Sequence, residues 1–577
     1  MNKDISYALD YHEKTKHSEI SVMNSGYYLD WSNRPNPFKI YTELPTIQLP
    51  SDFTTPSLNA IFAINNTHSQ SGQSKNLDNI VDNITTTNTN SHFKDTDNTK
   101  TKTWASKDIA EILFFSAGIT REIKYDNGKL YMRAASATGA LYPIEMYVVC
   151  KDISADIKAG VYHFNPAEFS LTNIREGDYS GPLASVAGNN QHISTCPLTI
   201  IITSYAWRNA WKYQDRSYRH WFWDSGVIIA NLLAVAKSKN IDAKLIMGFI
   251  DDDVNRLLAL ENDKEASIAM VAMDIGSTHS LHSEMQNANK EKISDLPSPK
   301  TIPLSREETQ YPAILKAYES SKLSDENEVK EWINSGLVQP DNFFSHREDS
   351  APPKETISKR QGISKYYNKY NDIPTLGETI LRRGSTRKFA RSPISFQILS
   401  SIMHSSTRGI SMDFKRDTES MIDVYLIANN VEGLDTGAYF YDRNYNTLDL
   451  LKDKVSRNMS GYLCLNQSLF SDASVVLFMM ANLDKALKTL GNRGYRSAQI
   501  EAGIIAGKIY LSSYAHGIGA SGSTFYDDAV TEFFSPHSKD KDTMIAVGIG
   551  VPSYKARRGK ILPVRFTKEQ LIRNYSV

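Results

Sequence analysis

The chain has 577 residues, enough for two or three domains that each bury a sizeable core. Lysine plus arginine and aspartate plus glutamate both total 65, so charge gives no case for a nucleic-acid partner. The three cysteines lie far apart and argue against a disulfide framework or a cysteine-based zinc site. The same cysteine pattern suits a reducing cytosol, so we expect a cytoplasmic protein with no bound metal. No apolar run reaches the length of a membrane span, so we expect no membrane partner.

The predicted elements begin with an N-terminal arm, residues 1–64. Scattered aromatic residues interrupted by prolines predict an ordered arm that drapes over a domain. Residues 65–103 are rich in Asn, Thr, Ser, Asp and Lys. This composition predicts disorder, because so few apolar side chains do not offset the entropy cost of ordering the chain.

The first domain is predicted to span residues 104–277. Short apolar, β-branched runs predict buried strands at 144–149, 198–203 and 268–273. Residues 226–236 are apolar on nearly all faces, which predicts a central helix packed on both sides. The acidic residues 251–253 suit either a metal site or the capped start of a helix. Capping is favoured, because Asp527 and Asp528 stand at the same junction in the second half.

Residues 278–371 are polar and predict a linker with one or two surface helices. The second domain is predicted to span residues 372–577, with strands at 424–428, 473–481 and 543–549 and a central helix at 501–514. Helices that alternate with strands, together with helix-rich connections, predict an α+β class with a mixed sheet.

One stretch of the sequence occurs twice. Tyr218 and Gly226 in the first half match Tyr495 and Gly503 in the second, with the same offset (495−218 = 277 and 503−226 = 277). A constant offset over many matched positions indicates an internal duplication. We therefore expect two tandem domains that pack as a pseudo-twofold dimer within one chain.

The second domain carries the sharpest candidate for phosphate binding, the segment 382–387. Its candidate side chains are Arg382, Arg383, Ser385 and Arg387. Guanidinium groups bind phosphate oxygens in a bidentate manner and hydroxyls add short hydrogen bonds, although a solvated basic turn is an equally good interpretation of composition alone. A second basic cluster, Arg557–Arg558, follows the last predicted strand, and two separated clusters suit a phosphate clamp.

Residues 517–522 fit the glycine spacing of a dinucleotide-binding fingerprint, but their context does not. A helix precedes them, whereas that fingerprint requires a preceding strand. We interpret the segment as a helix C-cap whose small residues let the backbone approach a flat ligand. The candidate contacts are Gly519, Ala520, Ser521 and Gly522.

A loop of small residues precedes a predicted strand in the first domain. Its candidate cofactor contacts are Arg133, Ser136, Thr138, Gly139, Ala140 and Leu141. Small residues admit a planar ring and leave backbone amides free to bond its heteroatoms, while an ordinary tight turn is the alternative.

Lys212 and Tyr213 occur in only one copy of the repeat. The matching segment of the second half, residues 489–493, contains neither a lysine nor a tyrosine. Both copies must solve the same folding problem, so this asymmetry favours a role in function.

These motifs resemble the nitroreductase superfamily, specifically its SagB/ThcOx-type FMN-dependent dehydrogenases. The features that match are Ser385 and Arg387, the loop at 139–143, residues 160–163 and the Lys212–Tyr213 pair. The resemblance implies an α+β dimer with flavin mononucleotide (FMN) at its interface, and oxidation of peptide thiazolines and oxazolines to azoles. It also implies that Lys212 and Tyr213 are catalytic. Ala137 stands where this branch usually has a hydroxyl, which Ser136 or Thr138 would have to replace.

The two halves have complementary losses. The second domain keeps the arginine clamp, whereas its loop position near 414–421 is degenerate; the first domain keeps the loop and Lys212–Tyr213 but lacks the clamp. One composite FMN site is therefore predicted, with the other site dead. We expect Tyr213 to act as acid or base with a pKa lowered by Lys212, and Arg121 to be neutral toward flavin.

Three functions fit these features. The first is an FMN-dependent dehydrogenase or oxidase of natural-product modification, acting on a peptide azoline or an activated aminoacyl group. The second is an NAD(P)H-dependent nitro or quinone reductase, which shares the fold. The third is a non-catalytic scaffold subunit of a modification complex, which the intact clamp disfavours. The expected partners are a peptide or small-molecule substrate and, for a complex, a second protein.

Overall fold

The structure of the protein is a computed structural model. It describes residues 2–65, 104–125, 128–274, 293–338, 359–363 and 372–575. The segment predicted to be disordered, 65–103, therefore lies outside the described residues except for Asn65. Over the described ranges, no helix combines the length and the apolar character that crossing a membrane requires.

The α-helices of the described residues number from the N-terminus. They are α1 Ser6–Lys14, α2 Glu19–Met23, α3 Ala60–Asn65, α4 Ser106–Ala117, α5 Ser180–Val186, α6 Gln191–Thr195, α7 Ala206–Tyr213, α8 Ser217–Ser238, α9 Asp251–Leu257, α10 Pro312–Ser320, α11 Glu326–Val338, α12 Leu376–Arg382, α13 Phe396–Ser406, α14 Arg457–Leu463, α15 Ser468–Asp472, α16 Leu483–Leu490, α17 Arg493–Ala515, α18 Asp527–Phe534 and α19 Lys568–Tyr575.

The strands are numbered in the same way. They are β1 Thr46–Gln48, β2 Ile119–Tyr125, β3 Gly128–Arg133, β4 Ile144–Cys150, β5 Gly160–Asn165, β6 Ser170–Glu176, β7 Leu198–Tyr205, β8 Asp242–Ile246, β9 Glu265–Asp274, β10 Arg360–Gly362, β11 Ile394–Ser395, β12 Asp423–Ala428, β13 Val431–Glu432, β14 Gly437–Asp442, β15 Thr447–Asp453, β16 Val475–Ala481, β17 Gly519–Ser523 and β18 Asp542–Gly550.

Two seven-stranded sheets with the same topology confirm the α+β class and the tandem duplication. Their strand orders are β1-β6-β5-β4-β7-β9-β8 and β10-β15-β14-β12-β16-β18-β17. Neighbouring strands in both sheets are antiparallel, so the predicted mixed sheet is wrong. The reason is that β9 lies between β7 and β8, the two strands that the central helix α8 connects. The two run in the same direction but do not pair.

The central helices α8 and α17 pack against each other. Among the residues in contact are pairs that the sequence repeat matches. A Cβ atom on Gly226 would lie 2.5 Å from the carbonyl carbon of Gly503, and one on Gly503 would lie 2.8 Å from the carbonyl oxygen of Phe222. The rings of Tyr218 and Tyr495 stack with an interplanar angle of 2°. Equivalent residues therefore meet each other, which defines a pseudo-twofold axis between the domains.

Buried ion pairs join each domain to the central helix of the other. Asp251 is fully buried and accepts hydrogen bonds from Arg493 Nη1 at 2.5 Å and Arg496 Nη1 at 2.7 Å. Asp527 accepts from the equivalent arginines of the first domain, Arg219 of α8 and Arg216 directly before that helix. The capping interpretation of these acids is wrong, because Ile250 and Tyr526 occupy the N-cap positions and make no side-chain cap hydrogen bond. Both carboxylates instead form ion pairs with buried guanidinium groups of the other domain.

Segments outside the predicted domain bounds complete both cores. From the N-terminal arm, β1 joins the first sheet, and from the predicted linker, β10 joins the second. The two linker helices α10 and α11 bury Tyr318 and Trp332. The C-terminal helix α19 returns to the first domain, where Leu571 packs in one cluster with Phe38. The described parts of the arm and the linker thus pack onto the two domains, while the predicted bounds themselves stay a prediction.

Candidate functional site

A cavity of about 340 Å³ lies between the two domains. This volume falls within the range of roughly 300–1,000 Å³ that is usual for small-molecule sites. The first domain contributes Ser136, Ala137, Thr138, Gly139, Ala140, Lys212, Tyr213, His220, Trp223, Asp224 and Val227 to its walls. The second contributes Ser385, Arg387, Gln467, Ala506, Tyr510, Ser521, Gly522, Ser523, Thr524 and Ile545. Ten of the residues proposed from the sequence are thereby brought together.

The loop of small residues is held in place by hydrogen bonds to Asp224 of the central helix α8. Thr138 donates from its backbone N and from Oγ1 to Asp224 Oδ1, at 2.8 and 2.7 Å. Gly139 follows with a φ of 63°, a conformation that favours glycine. A Cβ atom there would lie 2.8 Å from Tyr213 Oη. The loop therefore presents a glycine to the tyrosine hydroxyl, and no larger residue fits that contact.

Asp224 is a site residue that the sequence analysis missed. Burial raises the pKa of its carboxyl group to about 6, against the lowering effect of its hydrogen bonds with Thr138 and Asn209. A signal was present, because the repeat places Glu501 at the equivalent position of the second central helix. Glu501 holds the corresponding loop there, accepting a hydrogen bond from the Met421 backbone N at 3.0 Å.

Tyr213 ends helix α7 and keeps its proton at neutral pH. Burial and then the negative charge of Asp224 raise the pKa of the phenol, while Arg387 lowers it by a smaller amount. The predicted lowering of this pKa by Lys212 is therefore wrong, because burial outweighs the nearby cations. Such a phenol stays protonated and is suited to donating a hydrogen bond.

Lys212 Nζ lies 5.3 Å from the centroid of the Tyr213 ring. Burial lowers the pKa of this lysine, and the like charges of Arg387 and Arg34 lower it further. The free amine is consequently more accessible near neutral pH than in an exposed lysine. The pKa values of the two side chains are thus shifted in opposite directions, which suits Tyr213 as a hydrogen-bond donor and Lys212 as a proton acceptor.

His220 is a second wall residue that no sequence signal indicated. Its ring meets the Tyr213 ring edge-on, with 4.4 Å between centroids. Burial holds the pKa of the imidazole well below its usual range, so the ring is neutral. Its Nδ1 is buried and has no hydrogen-bond partner within the described part of the chain.

Ser385 and Arg387 provide the cavity with groups that suit an anion. Ser385 Oγ lies 3.4 Å from Tyr510 Oη, which in turn accepts a hydrogen bond from the Gly522 backbone N at 2.5 Å. The backbone N of Arg387 donates to Tyr554 Oη at 3.0 Å. The guanidinium of Arg387 forms no ion pair with a carboxylate of the described ranges. It is therefore available to a phosphate.

The remaining arginines of the predicted clamp do not line the cavity. Arg383 is buried and donates to the carbonyl oxygens of Ala134 at 2.7 Å and Arg133 at 2.8 Å, so it ties the two domains together. Arg382, Arg557 and Arg558 are exposed. The clamp that faces the cavity is thus reduced to Arg387 with Ser385.

Other residues proposed from the sequence have structural contacts instead. Arg133 donates to the carbonyl oxygen of Pro37 at 2.6 Å, and its guanidinium lies 4.7 Å from the centroid of the Tyr142 ring. Leu141 belongs to the main hydrophobic core.

Only the start of the glycine segment is a helix cap. Helix α17 ends at Ala515 and Gly517 has a φ of 74°. Gly519 and Ala520 then lie in strand β17, where the Ala520 carbonyl accepts from the Thr386 backbone N at 2.8 Å. The C-cap interpretation is therefore wrong for 519–522, although Ser521 and Gly522 do reach the cavity.

One group of side chains outside the cavity has the spacing of metal ligands. Ligand atoms of His12, Glu13 and Asp542 lie within 4.8 Å of one another. Lys16 Nζ lies 2.7 Å from Glu13 and 3.6 Å from Asp542. A lysine ammonium thus already neutralises these carboxylates.

The position related to the cavity by the pseudo-twofold axis is filled by the protein itself. Strand β8 is the edge strand equivalent to β17, and the segment 411–414 runs beside it. Leu245 N donates to the Ser411 carbonyl at 3.2 Å, and Asp413 N donates to the Leu245 carbonyl at 3.1 Å. The Asp413 carboxylate accepts from the backbone N of Met247 at 3.0 Å and of Gly248 at 2.9 Å.

Helix α11 closes this second position from outside. The ring centroid of Trp332 lies 4.9 Å from that of Phe414, and Trp332 Nε1 donates to the Leu490 carbonyl at 2.9 Å. A Cβ atom on Gly336 would lie 2.3 Å from the Phe414 carbonyl oxygen. Packing this close leaves no room for a ligand there.

With this architecture established, comparison with known proteins identifies the class. Residues 106–276 and 380–551 each match the model of the nitroreductase family. Together they cover more than half of the chain, which therefore belongs to the nitroreductase family.

Two relatives of known sequence match one part of the chain. A nitroreductase-like protein of Methanocaldococcus jannaschii is 26% identical over 155 residues, which are 27% of this chain and 74% of that protein. The trifolitoxin-processing protein TfxB of Rhizobium leguminosarum bv. trifolii is 28% identical over 176 residues, 30% of this chain. The match spans 47% of TfxB, about half of its length.

A solved structure of a nitroreductase-like protein from Anabaena variabilis matches almost the whole chain. Its TM-score is 0.68 at 22% identity, and the match covers 95% of this chain and 99% of that one. The two-domain fold is thus shared from end to end.

Proposed function

We propose that this protein is a SagB/ThcOx-type FMN-dependent dehydrogenase that oxidises a peptide azoline or an activated aminoacyl group in natural-product maturation. The observation that carries the proposal is the pairing of Tyr213 and Lys212, tuned in opposite directions, in one cavity with Arg387 and Ser385. The similarity to a toxin-processing protein supports it.

The residues around the cavity fit FMN. Arg387 and Ser385 would hold its phosphate, and the loop 136–140 with Ser521 and Gly522 would face its ring. Apolar wall residues such as Val227 and Ile545 offer the surface that a flat ring system requires. When bound, FMN supplies a hydride acceptor, and the protein supplies position and proton transfer.

The protein's own residues manage the protons of a dehydrogenation. Tyr213 Oη remains protonated and donates a hydrogen bond to a substrate heteroatom. Lys212 Nζ, with its lowered pKa, takes the proton released when the substrate loses its hydride. His220 stays neutral and presents its ring to Tyr213.

We further propose that each chain holds one FMN, in a composite site built by both domains. The cavity draws Arg387 from the second domain and the loop with Lys212 and Tyr213 from the first. The equivalent second position is occupied by residues 411–414, with Asp413 bound to two backbone amides.

The test is oxidation of a synthetic peptide that contains one thiazoline, followed by mass spectrometry. The proposal expects FMN-loaded protein to remove two hydrogen atoms per ring, with oxygen as terminal acceptor. Rapid bleaching of the flavin by NAD(P)H, with quinone reduction and no peptide oxidation, would instead indicate the reductase. A purified protein that neither contains nor takes up flavin would indicate the scaffold.

A further inference from the structure

The N-terminal arm carries a concentration of exposed apolar side chains. Ile20, Met23, Tyr28 and Trp31 are 68%, 76%, 89% and 66% exposed, respectively. Helix α2 buries none of its side chains, although a complete capping box at Ser18 stabilises it. Ile20 and Met23 are three residues apart and so share one face of that helix. Exposed apolar groups concentrated in one segment, here named the arm patch, are typical of an interaction surface.

The arm patch lies beside the cavity, because the arm is tied to both of its sides. The backbone N of His17 donates to Asp527 Oδ2 at 2.8 Å, and Asp527 lies three residues beyond the cavity-wall residue Thr524. Tyr27 Oη donates to the carbonyl of Trp211 at 2.5 Å, and Trp211 Nε1 donates to the Asp30 carbonyl at 3.0 Å. Trp211 immediately precedes Lys212. The patch therefore continues the surface of the candidate site outward.

Three cationic side chains, Arg34, Lys212 and Arg387, stand at this border. Arg34 stands at the end of the arm and acts electrostatically on Lys212, as does Arg387. Within the ranges that the structure describes, none of the three cations forms an ion pair with a carboxylate. A ligand that reaches from the cavity to the arm would gain by carrying an anionic group.

We propose that the arm, residues 17–34, is the docking surface for a peptide substrate, whose apolar side chains contact the arm patch and whose carboxylate pairs with Arg34. This inference rests on the proposed peptide dehydrogenase. A small molecule that fits the cavity needs no surface outside it, whereas a peptide with its reacting residue in the cavity must leave along an adjoining surface. The arm patch combines the apolar and cationic groups that such a chain recognises.

The experiment measures binding separately from turnover. The probes are a fluorescein-labelled peptide, in which leucines and one glutamate flank a single thiazoline, and a short N-acetyl thiazoline amide without flanks. The variant Ile20→Ser/Met23→Ser/Tyr28→Ser should bind the peptide at least about tenfold more weakly in fluorescence anisotropy, the scale of a few lost interface side chains. Its oxidation of the short amide, its flavin content and its unfolding temperature should equal those of the wild type.

Leu562→Ser/Val564→Ser is the matched control, since these side chains are 49% and 48% exposed but lie outside the arm. Unchanged peptide affinity in the triple variant, or an equal loss in the control, would overturn the docking proposal. Failure of the proposed function would look different. Wild-type protein would then oxidise neither probe, while anisotropy would still report whether the arm binds the peptide.

Discussion

At the scale of single residues, Asp224 links the loop to the tyrosine. Its Oδ1 accepts both Thr138 hydrogen bonds, and its charge is the second cause, after burial, of the raised pKa of Tyr213. A residue that lines the cavity thus sets both the position of Gly139 and the protonation of the phenol that contacts it.

Asp224→Asn separates these two effects. The amide oxygen can still accept from Thr138. Asn209 Oδ1 is buried and has no partner among the described residues, so it can accept from the new amide nitrogen. Because the pKa of Asp224 is about 6, its charge is lost as the pH falls from about 7 to about 5, and the wild-type kcat/KM should change across that range. Asp224→Asn carries no charge at any pH and should lack this change, and Asp224→Ala should in addition lose flavin. A pH profile of the Asn variant equal to that of the wild type would disprove the electrostatic role.

Tyr213→Phe removes only a hydroxyl. If this hydroxyl donates the hydrogen bond that holds the substrate heteroatom, turnover should fall by roughly 10²–10³-fold, the usual cost of removing one such donor, with flavin content unchanged. Stopped-flow oxidation of the peptide thiazoline measures it. Tyr445→Phe, at a residue that is 50% exposed, is the control. Wild-type turnover in a flavin-replete Tyr213→Phe protein would end the catalytic assignment.

The phosphate contact is tested by Arg387→Ala. FMN binding should weaken by about 1.5–3 kcal/mol, the scale of a hydrogen bond to a charged group. Arg557→Ala should change the Kd little, because that side chain is exposed and outside the cavity wall. Equal losses in the two variants, measured by quenching of flavin fluorescence, would mean that the phosphate lies elsewhere.

The neutrality of Arg121 toward flavin stays a prediction. Its Nη2 donates to the Arg382 carbonyl at 3.0 Å and to that of Arg383. Arg121 thus contacts the backbone of the candidate segment 382–387 from the first domain, so an exposed arginine outside the cavity is the better control.

At the scale of elements, local patterns predicted more than long-range ones. The repeat predicted the positions of the central helices α8 and α17. Short apolar, β-branched runs predicted the strands β4, β7, β9, β12, β16 and β18, since periodicity and branching are local properties of the sequence. The insertion of β9 between β7 and β8 is a tertiary arrangement, and so is the pairing of Asp251 with arginines 242 and 245 positions away in the chain. Neither is encoded in a short window of sequence.

The segment 411–414 shows how one element closes a site. Asp413→Ala would leave the buried amides of Met247 and Gly248 without their acceptors, which should lower the free energy of unfolding by about 1–3 kcal/mol. Flavin stoichiometry should not rise, because helix α11 still packs on Phe414 and closes the position. Urea denaturation and flavin absorbance measure the two quantities. An Asp413→Ala protein as stable as the wild type would argue against this segment as a structural replacement for a ligand.

At the scale of the whole molecule, the two duplicated halves match on their pseudo-twofold axis and differ away from it. Symmetric contacts persist on the axis, where Gly226 meets Gly503 and Tyr218 stacks on Tyr495. Away from the axis, one interface keeps a cavity and the other is packed with the chain's own residues. The sequence predicted this asymmetry from the missing motifs, but the filling by 411–414 and α11 depends on packing that no motif reports.

Flavin stoichiometry tests the central claim most directly. Protein saturated with FMN and freed of excess ligand should contain one FMN per chain by absorbance of the released flavin against protein concentration, because one composite cavity is open. Two FMN per chain would contradict the account, since the second flavin would have to occupy the position that residues 411–414 fill.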